Sequence, residues 1–364
     1  MGNSMLDTAL ESVVRTAATV AGNLPGPVQR LLAGRPVRVD GQELDTEIQL
    51  MLRMLALLPD SDFEQLPLAR SRAQIDMESR LVSGRPLPMD VRPVTIPGPD
   101  GSIRARMFRP DGLPAAAPLL VYFHGGGFVL GSLDSHDSVC RFLARHADVA
   151  VLAVDYRLAP ENPFPAAADD AVAAFRYAVE HAAELGIDPG RVAVAGDSAG
   201  GNLAAVVSLL TRADAVRPAF QLLFFPWLDM TSKRDSYRSF GDGYFLTEAQ
   251  MDWYTGHYVP EVADRTDPRA SPLLADDLTG LPPAYLALSG FDVLRDEGIE
   301  YAERLRSAGV PTTLRVHDGL VHAFVNLTGY GRAGTDALRE AASALRTGLS
   351  FAPHHAPGPL AAAD

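Results

Sequence analysis

From about residue 93 onward, short apolar runs alternate with helical patterns. An alternation of this kind leaves few possible folds, because each strand must be covered by helices. Several runs, such as 119–123 and 149–154, are almost wholly apolar, as expected when both faces of a strand are covered. The pattern predicts an α/β fold with a doubly wound, mostly parallel sheet, and the turn Gly98-Pro99-Asp100-Gly101 predicts an antiparallel hairpin at one edge. Eight strands are predicted, near 94–97, 103–109, 118–123, 149–155, 191–195, 220–225, 284–288 and 312–316.

Two regions lie outside this alternation. Residues 1–90 have a helical pattern throughout, and residues 227–282, between two predicted strands, are rich in Tyr, Phe and Trp. We predict that both contribute to a helical cap over the carboxyl-terminal edge of the sheet, where open α/β sheets bind ligands. An independent domain or a dimerisation arm is the alternative for the first region. The α/β unit then spans residues 91–350, and residues 351–364 are predicted to form a disordered tail.

The first region carries two apolar stripes at helical spacing. Charged residues interrupt the first stripe, which lacks the pattern of a secretory signal, and the second is followed by Pro59, a predicted helix stop. No stretch approaches the roughly 20 apolar residues that a membrane span needs, so we expect a cytoplasmic protein without stable membrane insertion. The stripes consist of Leu6, Leu10, Val13, Val14, Ala17, Val20 and Ala21, and of Leu44, Ile48, Met51, Leu52, Leu55 and Leu58.

The composition excludes several classes of partner. The 364 residues carry a formal net charge of −13, and no run of basic residues offsets it, so nucleic acid is not expected to bind. The single cysteine, Cys140, excludes an internal disulfide and a thiolate metal cluster. We expect it to be a small buried apolar residue, and we expect no metal site in the protein.

The sequence Gly196-Asp197-Ser198-Ala199-Gly200 follows a predicted strand and opens a helical stretch at 202–210. This context is typical of a nucleophile elbow, a sharp strand-to-helix turn in which small flanking residues avoid a clash. The turn exposes the hydroxyl of Ser198 and points the amino-terminal end of the helix at it. The five-residue pattern is weak by itself, so its position between a strand and a helix carries the prediction. Asp197 is expected to brace the turn through hydrogen bonds.

A glycine-rich loop, His124-Gly125-Gly126-Gly127-Phe128, follows another predicted strand. With 9 His and 31 Gly in 364 residues, chance supplies about 0.006 matches to its first four residues. Three glycines cost backbone entropy, so the loop needs a reason for close backbone approach. An oxyanion hole is that reason, with the amides of Gly125, Gly126 and Ala199 converging on the substrate oxygen that becomes negative. A simple glycine-rich turn is the alternative, while a phosphate-binding loop lacks its usual following residues.

A serine hydroxyl needs a base that accepts its proton, and a histidine oriented by a carboxylate is the usual one. His322 lies in a loop just past the last predicted strand, where the sheet would deliver a base toward Ser198. His317 falls in the strand itself and is expected to face away. Asp292 ends the preceding strand, and the order Ser, Asp, His along the chain is the one expected of such a site. Asp296 is the main competitor, although it falls in a predicted helix and would serve its first turn.

Together these motifs resemble the hormone-sensitive lipase group of the α/β hydrolases, which includes the bacterial family IV esterases. The resemblance covers residues 90–350, with Val293 as a small departure where proline is frequent. It implies an α/β-hydrolase fold with a helical cap and a triad of Ser198, Asp292 and His322. The motifs are His124-Gly-Gly-Gly-Phe128, Asp155-Tyr-Arg-Leu-Ala-Pro-Glu161, Gly196-Asp-Ser-Ala-Gly200, Gly290-Phe-Asp-Val-Leu-Arg-Asp-Glu-Gly298 and the loop around His322.

The resemblance also implies an activity. Members of the family hydrolyse esters of short to medium acyl chains through an acyl-enzyme, without a cofactor or metal. We therefore expect a carboxylesterase-type serine hydrolase that acts on a small-molecule ester. The cap would shape the acyl and alcohol pockets, and Phe128, Tyr244 and Phe245 are predicted to contact substrate. A homodimer is a further expectation.

Two other functions could use the same fold. Amidase or deacetylase activity would rely on the same catalytic groups, so the motifs do not separate it from ester hydrolysis. The family also contains plant hormone receptors that keep the fold and lack the catalytic histidine, which makes a small-molecule receptor the second alternative. His322 is present in this chain, and its presence favours an enzyme.

Overall fold

The computed structural model describes residues 15–56 and 63–352. Within these residues the chain forms ten strands, twelve α-helices and four short 3₁₀ helices. The strands are β1 (Arg38–Val39), β2 (Gln42–Glu43), β3 (Asp90–Gly98), β4 (Gly101–Arg109), β5 (Ala117–Phe123), β6 (Ala150–Asp155), β7 (Ile187–Asp197), β8 (Phe220–Phe224), β9 (Ala284–Phe291) and β10 (Thr312–Val321). The helices are α1, of which residues 15–22 are described, α2 (Gly26–Ala33), α3 (Thr46–Leu55), α4 (Leu68–Val82), α5 (Asp137–Ala147), α6 (Ala166–Glu180), α7 (Ala182–Leu185), α8 (Ala199–Leu210), α9 (Asp235–Phe240), α10 (Glu248–Tyr258), α11 (Arg295–Ser307) and α12 (Ala333–Ser350).

Eight of the strands form one sheet in the order β10-β9-β8-β7-β5-β6-β4-β3. β4 pairs antiparallel with both β3 and β6, whereas all other neighbours run parallel. The helices that follow strands in the chain, including α5, α6, α8, α11 and α12, pack on this sheet. The predicted α/β fold with its mostly parallel sheet is confirmed, and so is the edge hairpin, in which Gly98 pairs with Gly101.

The apolar composition of the inner strands explains their place in the sheet. Residues 119–123 of β5 and 192–195 of β7 are fully buried, because neighbouring elements cover both faces of these strands. The strands β7, β8, β9 and β10 are consecutive neighbours and parallel. Their carboxyl ends therefore meet at one edge of the sheet, which is where open α/β sheets bind ligands.

The N-terminal region departs from its predicted helical pattern at residues 38–43, which form the antiparallel hairpin of β1 and β2. Its turn is Asp40-Gly41, and the two residues have positive φ angles of 51° and 78°. Two successive positive φ angles define the type I′ turn of a two-residue hairpin, and Asp-Gly is among its preferred sequences. The expectation of helix throughout residues 1–90 is therefore wrong here, and this dipeptide was the signal against it.

Four residues of the second apolar stripe lie in α3, in which Ile48 is fully buried. Leu44 precedes the helix, and Leu58 lies outside the described residues. The helix ends at Leu55, and the predicted stop at Pro59 lies outside the described residues. Of the first stripe, residues 15–22 are described and helical. Most of the predicted tail, from residue 353 onward, also lies outside the described part of the chain.

The N-terminal region contacts several parts of the molecule, among them the start of α12 and the insertion between β8 and β9. The carboxylate of Glu47 in α3 accepts the backbone amide of Ala333 at 2.6 Å, which anchors this helix at the start of α12. Farther along the chain, the ring of Phe63 packs edge-on against Trp253, with 5.9 Å between ring centroids. Trp253 belongs to segment 227–282, so the later part of the N-terminal region lies against the insertion between β8 and β9.

No helix in the described part of the chain has the length and apolar character needed to cross a bilayer. The same residues contain no group of three or more His, Cys, Asp or Glu side chains placed to hold a metal ion. Cys140 is fully buried in α5, as predicted for a small apolar residue, and burial raises the pKa of its thiol.

Candidate active site

Ser198 occupies the turn between β7 and α8, at the carboxyl edge of the sheet. Its backbone angles are φ 56° and ψ −117°, a conformation that costs a non-glycine residue energy and is typical of nucleophile elbows. The Ser198 amide donates to the carbonyl of Phe224 at 2.9 Å, and the Ser198 carbonyl accepts the amide of Trp227 at 3.1 Å. The strained turn is therefore held by the end of β8 and the residues that follow it.

Gly200 shows why small residues flank the serine. A Cβ atom at this position would overlap the carbonyl oxygen of Phe123 at the end of β5. A Cβ atom on Gly196 would in turn overlap the backbone of Gly200. The two glycines allow β5, β7 and the start of α8 to approach at backbone distance, so the sequence pattern of the elbow has a steric cause.

Asp292 and His322 are paired just after the ends of β9 and β10. Nδ1 of His322 lies 2.7 Å from Oδ2 of Asp292, and Oδ1 accepts the amide of Leu294 at 3.0 Å. Asp292 is 1% exposed, so these bonds replace the water that would otherwise stabilise its charge. With Nδ1 directed at the carboxylate, Nε2 is the ring nitrogen left for another partner. A general base needs this orientation.

The end of β8 connects the Asp–His pair to Ser198. The ring of Phe225, just after β8, packs against the ring of His322 with 4.5 Å between centroids. Ser198 and His322 are 8% and 7% exposed, so neither residue is fully enclosed. Among the described residues, His322 bonds through its side chain to Asp292 alone. A bond between such a histidine and the serine hydroxyl often tightens only when substrate is present.

The two competing candidates lie in other surroundings. Asp296 is in the first turn of α11, and its carboxylate accepts the amide of Ser236 and the side chain of Arg295, both at 2.8 Å. It therefore stabilises the start of α9. His317 lies within β10, where its ring is 5.4 Å from that of Phe324 and burial lowers the pKa of the imidazole. Of the two aspartates, the one that follows β9 directly is the partner of the histidine.

The glycine loop after β5 differs from the prediction at its first glycine. The amide of Gly125 donates to Oδ1 of Asp197 at 3.0 Å, so the expectation that this amide serves an oxyanion is wrong. The amides of Gly126 and Gly127 have no acceptor among the described residues. Ala199 is the first residue of α8, a position whose amide lacks an acceptor within the helix. Three free amides remain, with Gly127 in place of Gly125.

Asp197 is the centre of a buried hydrogen-bond network that holds the glycine loop. One of its oxygens accepts the hydroxyl of Tyr122 at 2.7 Å, and the other lies 3.2 Å from Nε2 of His136. Burial opposes ionisation of this carboxyl, but the interactions with His136 and Tyr122 outweigh it and lower the pKa of Asp197. The bracing role of Asp197 was predictable, whereas no motif marks His136 or Tyr122.

His124, the first residue of the glycine loop, is buried and has a structural role. Its ring is stacked on Tyr156 with 4.4 Å between centroids, and its carbonyl accepts the Tyr156 hydroxyl at 2.7 Å. Burial, together with repulsion from His136, lowers the pKa of His124 from 6.5 to about 4. The imidazole is therefore neutral at pH 7, and its enclosed ring fixes the start of the loop.

The three residues predicted to contact substrate occupy different environments. Phe128 is fully buried and stacked on Tyr258, with 3.8 Å between ring centroids, so it is a core residue of the loop. Tyr244 packs against Phe291, the last residue of β9, at 5.2 Å. Phe245 is 39% exposed. Of the three, Phe245 has the most accessible ring, and the ring of Phe128 is covered.

Glu297, in the first turn of α11, is an acid whose burial the sequence pattern does not indicate. Its side chain is fully buried, and Oε1 accepts the amide of Leu228 at 2.5 Å. Burial raises the pKa of Glu297 well above its usual 4.5. The folded protein therefore keeps a proton on this carboxyl at pH values where the unfolded chain has lost it.

Replacing Glu297 by glutamine is expected to change how stability depends on pH. Because the folded wild type holds the proton above pH 4.5 and the unfolded chain does not, its free energy of unfolding should fall as pH rises. The fall is at most about 1.4 kcal/mol per pH unit. Glutamine lacks this dependence, and other groups, such as His124, titrate in both proteins and cancel. Urea unfolding from pH 5 to pH 7 measures the difference, and parallel curves would contradict the raised pKa.

Comparisons with known proteins agree with this geometry. Residues 120–326, more than half of the chain, match the α/β-hydrolase fold family. The chain is 46% identical over 354 residues to carboxylic ester hydrolase LipN of Mycobacterium tuberculosis, covering 93% of this chain and 92% of that protein. It is 40% identical over 263 residues to ethyl acetate hydrolase of Pseudomonas putida, covering 71% and 83%. The solved ester hydrolase EH1AB1 from the metagenome of Lake Arreo has a TM-score of 0.81 at 43% identity, covering 85% of this chain and 100% of that chain.

The chain belongs to the hormone-sensitive lipase-like group of the α/β hydrolases, which includes the bacterial family IV esterases. The predicted family and the predicted class of enzyme are therefore confirmed. The protein is a serine carboxylester hydrolase, and its relatives of this class act on small-molecule esters.

Proposed function

We propose that Ser198 is the nucleophile of this hydrolase and His322 its general base, with Asp292 orienting the imidazole. The observation that carries the proposal is the 2.7 Å bond between Asp292 and Nδ1 of His322, beside the strained serine turn. Ser198 attacks the ester carbonyl while Nε2 of His322 takes its proton. The alcohol leaves with that proton. Water, activated by the same histidine, then releases the acid from the acyl-enzyme.

The charge that develops on the carbonyl oxygen needs fixed hydrogen-bond donors. We assign this role to the free amides of Gly126, Gly127 and Ala199. Ala199 also begins a helix of 12 residues, whose dipole favours negative charge at this end. Gly125 is left out of the set because its amide is engaged by Asp197.

In this proposal, residues 63–82 and 227–282 form the cap. The part of the N-terminal region that contributes to the cap is therefore shorter than the predicted residues 1–90. The ring of Phe63 joins the two segments, since it lies 5.9 Å from Trp253 and 5.7 Å from Tyr254. The cap shapes the acyl and alcohol pockets for esters of short to medium acyl chains. The relative named ethyl acetate hydrolase supports a short acyl group here.

A fluorophosphonate probe tests the nucleophile, and p-nitrophenyl esters from acetate to palmitate test the acyl preference. The probe should label the native protein once per chain, and peptide mapping should place the adduct on Ser198. Turnover should be highest for the shorter chains and fall toward palmitate. Hydrolysis with an adduct at another residue would refute the assignment, and protein that gives neither hydrolysis nor adduct would favour the receptor alternative. Heat-denatured protein is the control for labelling.

The homodimer and the cytoplasmic location stay predictions of this proposal. Light scattering coupled to size-exclusion chromatography should give twice the mass of one chain. Fractionation of the native host should recover the esterase activity with the cytoplasmic fraction.

A further inference from the structure

Arg72, in helix α4 of the N-terminal region, contacts the loop that carries two of the free amides. Its Nε donates to the carbonyl of Val129 at 2.9 Å, and its Nη2 donates to the carbonyl of Ala159 at 2.9 Å. The same guanidinium pairs as a fork with the carboxylate of Glu161, at 2.8 and 2.7 Å. One side chain therefore joins three segments, namely α4, the loop after β5 and the loop after β6.

The Val129 carbonyl that Arg72 binds belongs to a tight turn. The amides of Val129 and Leu130 donate to the carbonyl of Gly126, at 3.1 and 2.8 Å. The carbonyl of Gly126 and the amide of Gly127 lie in one rigid peptide plane and point in opposite directions. Fixing the direction of the carbonyl therefore fixes the direction of the amide, which is one of the three assigned to the oxyanion.

Two further contacts hold the same loop. The carboxylate of Asp76, one helical turn after Arg72 on α4, accepts the hydroxyl of Ser132 at 2.7 Å. The amide of Ala159 donates to the carbonyl of Phe128 at 2.9 Å, so the loops after β5 and β6 are also joined directly. Helix α4 thus binds the loop after β5 at two points. Of the two residues that make these contacts, Arg72 binds nearer to the glycines.

We propose that Arg72 is a positioning residue for the oxyanion hole, through which the N-terminal region sets the activity of the α/β unit. This inference rests on the proposed function, since it requires Gly127 to donate to the oxyanion. Arginine suits the role because its planar guanidinium makes several directed bonds at once, which the ammonium of lysine does not. Without it, the Val129 carbonyl loses a charged donor, and the turn that directs the Gly126–Gly127 peptide is held by fewer bonds, so this peptide can turn partly away from the substrate.

Replacing Arg72 by glutamine is expected to lower kcat about 10- to 50-fold with little change in KM. Losing a whole oxyanion donor costs about 100- to 1,000-fold in kcat, and a misdirected donor costs part of that. KM is spared because these donors act mainly on the charge that develops in the transition state. Arg72→Lys keeps the charge but not the fork, so it should restore only part of kcat.

A trifluoromethyl ketone separates positioning from a merely structural role. Oγ of Ser198 bonds to the ketone carbon, its proton passes to His322, and the ketone oxygen becomes an oxyanion. The inhibition constant should therefore rise in proportion to the loss of kcat.

Arg191→Gln is the matched control for this comparison. Arg191 also donates to a backbone carbonyl, that of Ala116 at 3.0 Å, and pairs with Asp188 at 2.8 Å, but it lies toward the start of β7. Its loss removes bonds of the same kinds far from the glycine loop. The variant should be less stable than the wild type, while the kcat of its folded fraction should be unchanged. Circular dichroism and thermal unfolding measure the folded fraction.

Ser198→Ala is assayed alongside, so that the two proposals fail separately. Turnover by Ser198→Ala would overturn the proposed function. An inactive Ser198→Ala protein, combined with wild-type kcat and ketone affinity in folded Arg72→Gln, would overturn the role of Arg72 alone. Equal losses of kcat and ketone affinity in Arg72→Gln and Arg191→Gln would also overturn the role of Arg72. We expect kcat and ketone affinity to fall in parallel in folded Arg72→Gln and to be retained in Arg191→Gln. If Arg72→Gln does not fold, Arg72→Lys takes its place in this comparison.

Discussion

Replacing Ser198 by alanine is expected to lower kcat for ester hydrolysis by about a millionfold. In the proposed mechanism the serine oxygen forms the bond to the substrate carbonyl. Without it, binding and oxyanion stabilisation leave a residual rate about 1,000- to 10,000-fold above that in water, which is far below the rate of the wild type. The fold should survive, because the change removes one oxygen from a small side chain at the edge of the sheet. Steady-state turnover of p-nitrophenyl acetate measures kcat, and KM should stay within about threefold.

Ser208→Ala is the matched control for this variant. Ser208 lies on α8, is fully buried, and its hydroxyl donates to the carbonyl of Ala204 at 2.9 Å. Its replacement removes a hydroxyl from the same helix without touching the strained turn, so kcat should be retained and stability should fall by about 1 kcal/mol. Turnover by Ser198→Ala above about 1% of wild type would contradict the assignment of the nucleophile.

Replacing Asp292 by asparagine is expected to lower kcat by about 10,000-fold. Asparagine has the same shape and can still accept the amide of Leu294. Its amide group donates to Nδ1 of His322, which places the ring proton on Nε2 and prevents that atom from accepting the serine proton. The imidazolium that forms during the reaction also loses its counter-charge. The measurement is kcat at neutral pH together with thermal unfolding of the same sample.

Asp296→Asn distinguishes this assignment from its competitor, because the two aspartates are four residues apart in one motif. Asp296 accepts the amide of Ser236 at the start of α9. Asparagine can still accept that amide, and the change removes only the charge that pairs with Arg295. The variant should therefore lose at most about 1 kcal/mol of stability and keep kcat within about threefold. A larger loss of kcat from Asp296→Asn than from Asp292→Asn would overturn the assignment.

The sheet and the elbow were predictable because their sequence patterns have local causes. Inner parallel strands are covered on both faces, so they appear as apolar runs. The glycines of the elbow are required by backbone contacts, as Gly200 against Phe123 illustrates. Asp292 and His322 could be placed together because parallel strands bring their carboxyl ends to one edge. The bond between these two side chains follows from that topology.

Other features depend on contacts that form only in the folded chain. Asp197 is beside the serine in sequence, yet it captures the amide of Gly125 after folding, and this decides which glycine amides remain free. Arg72 lies in a region whose pattern indicates a helix and nothing more, and a backbone carbonyl such as that of Val129 carries no sequence signal. The hairpin at 38–43 did have a signal, but the helical periodicity on both sides of it outweighed one dipeptide.

The insertion leaves β8 and rejoins the sheet at β9, and both points are fixed by the backbone. Where the insertion leaves, the carbonyl of Phe224 accepts the amide of Ser198. Where it returns, the carbonyl of Pro283 accepts the amide of Gln221 at 2.9 Å. A segment held in this way can change in sequence between two fixed ends. Exposed positions of the insertion, such as Phe245, take no part in these backbone bonds. They can therefore vary in sequence one at a time while the serine turn keeps its partners.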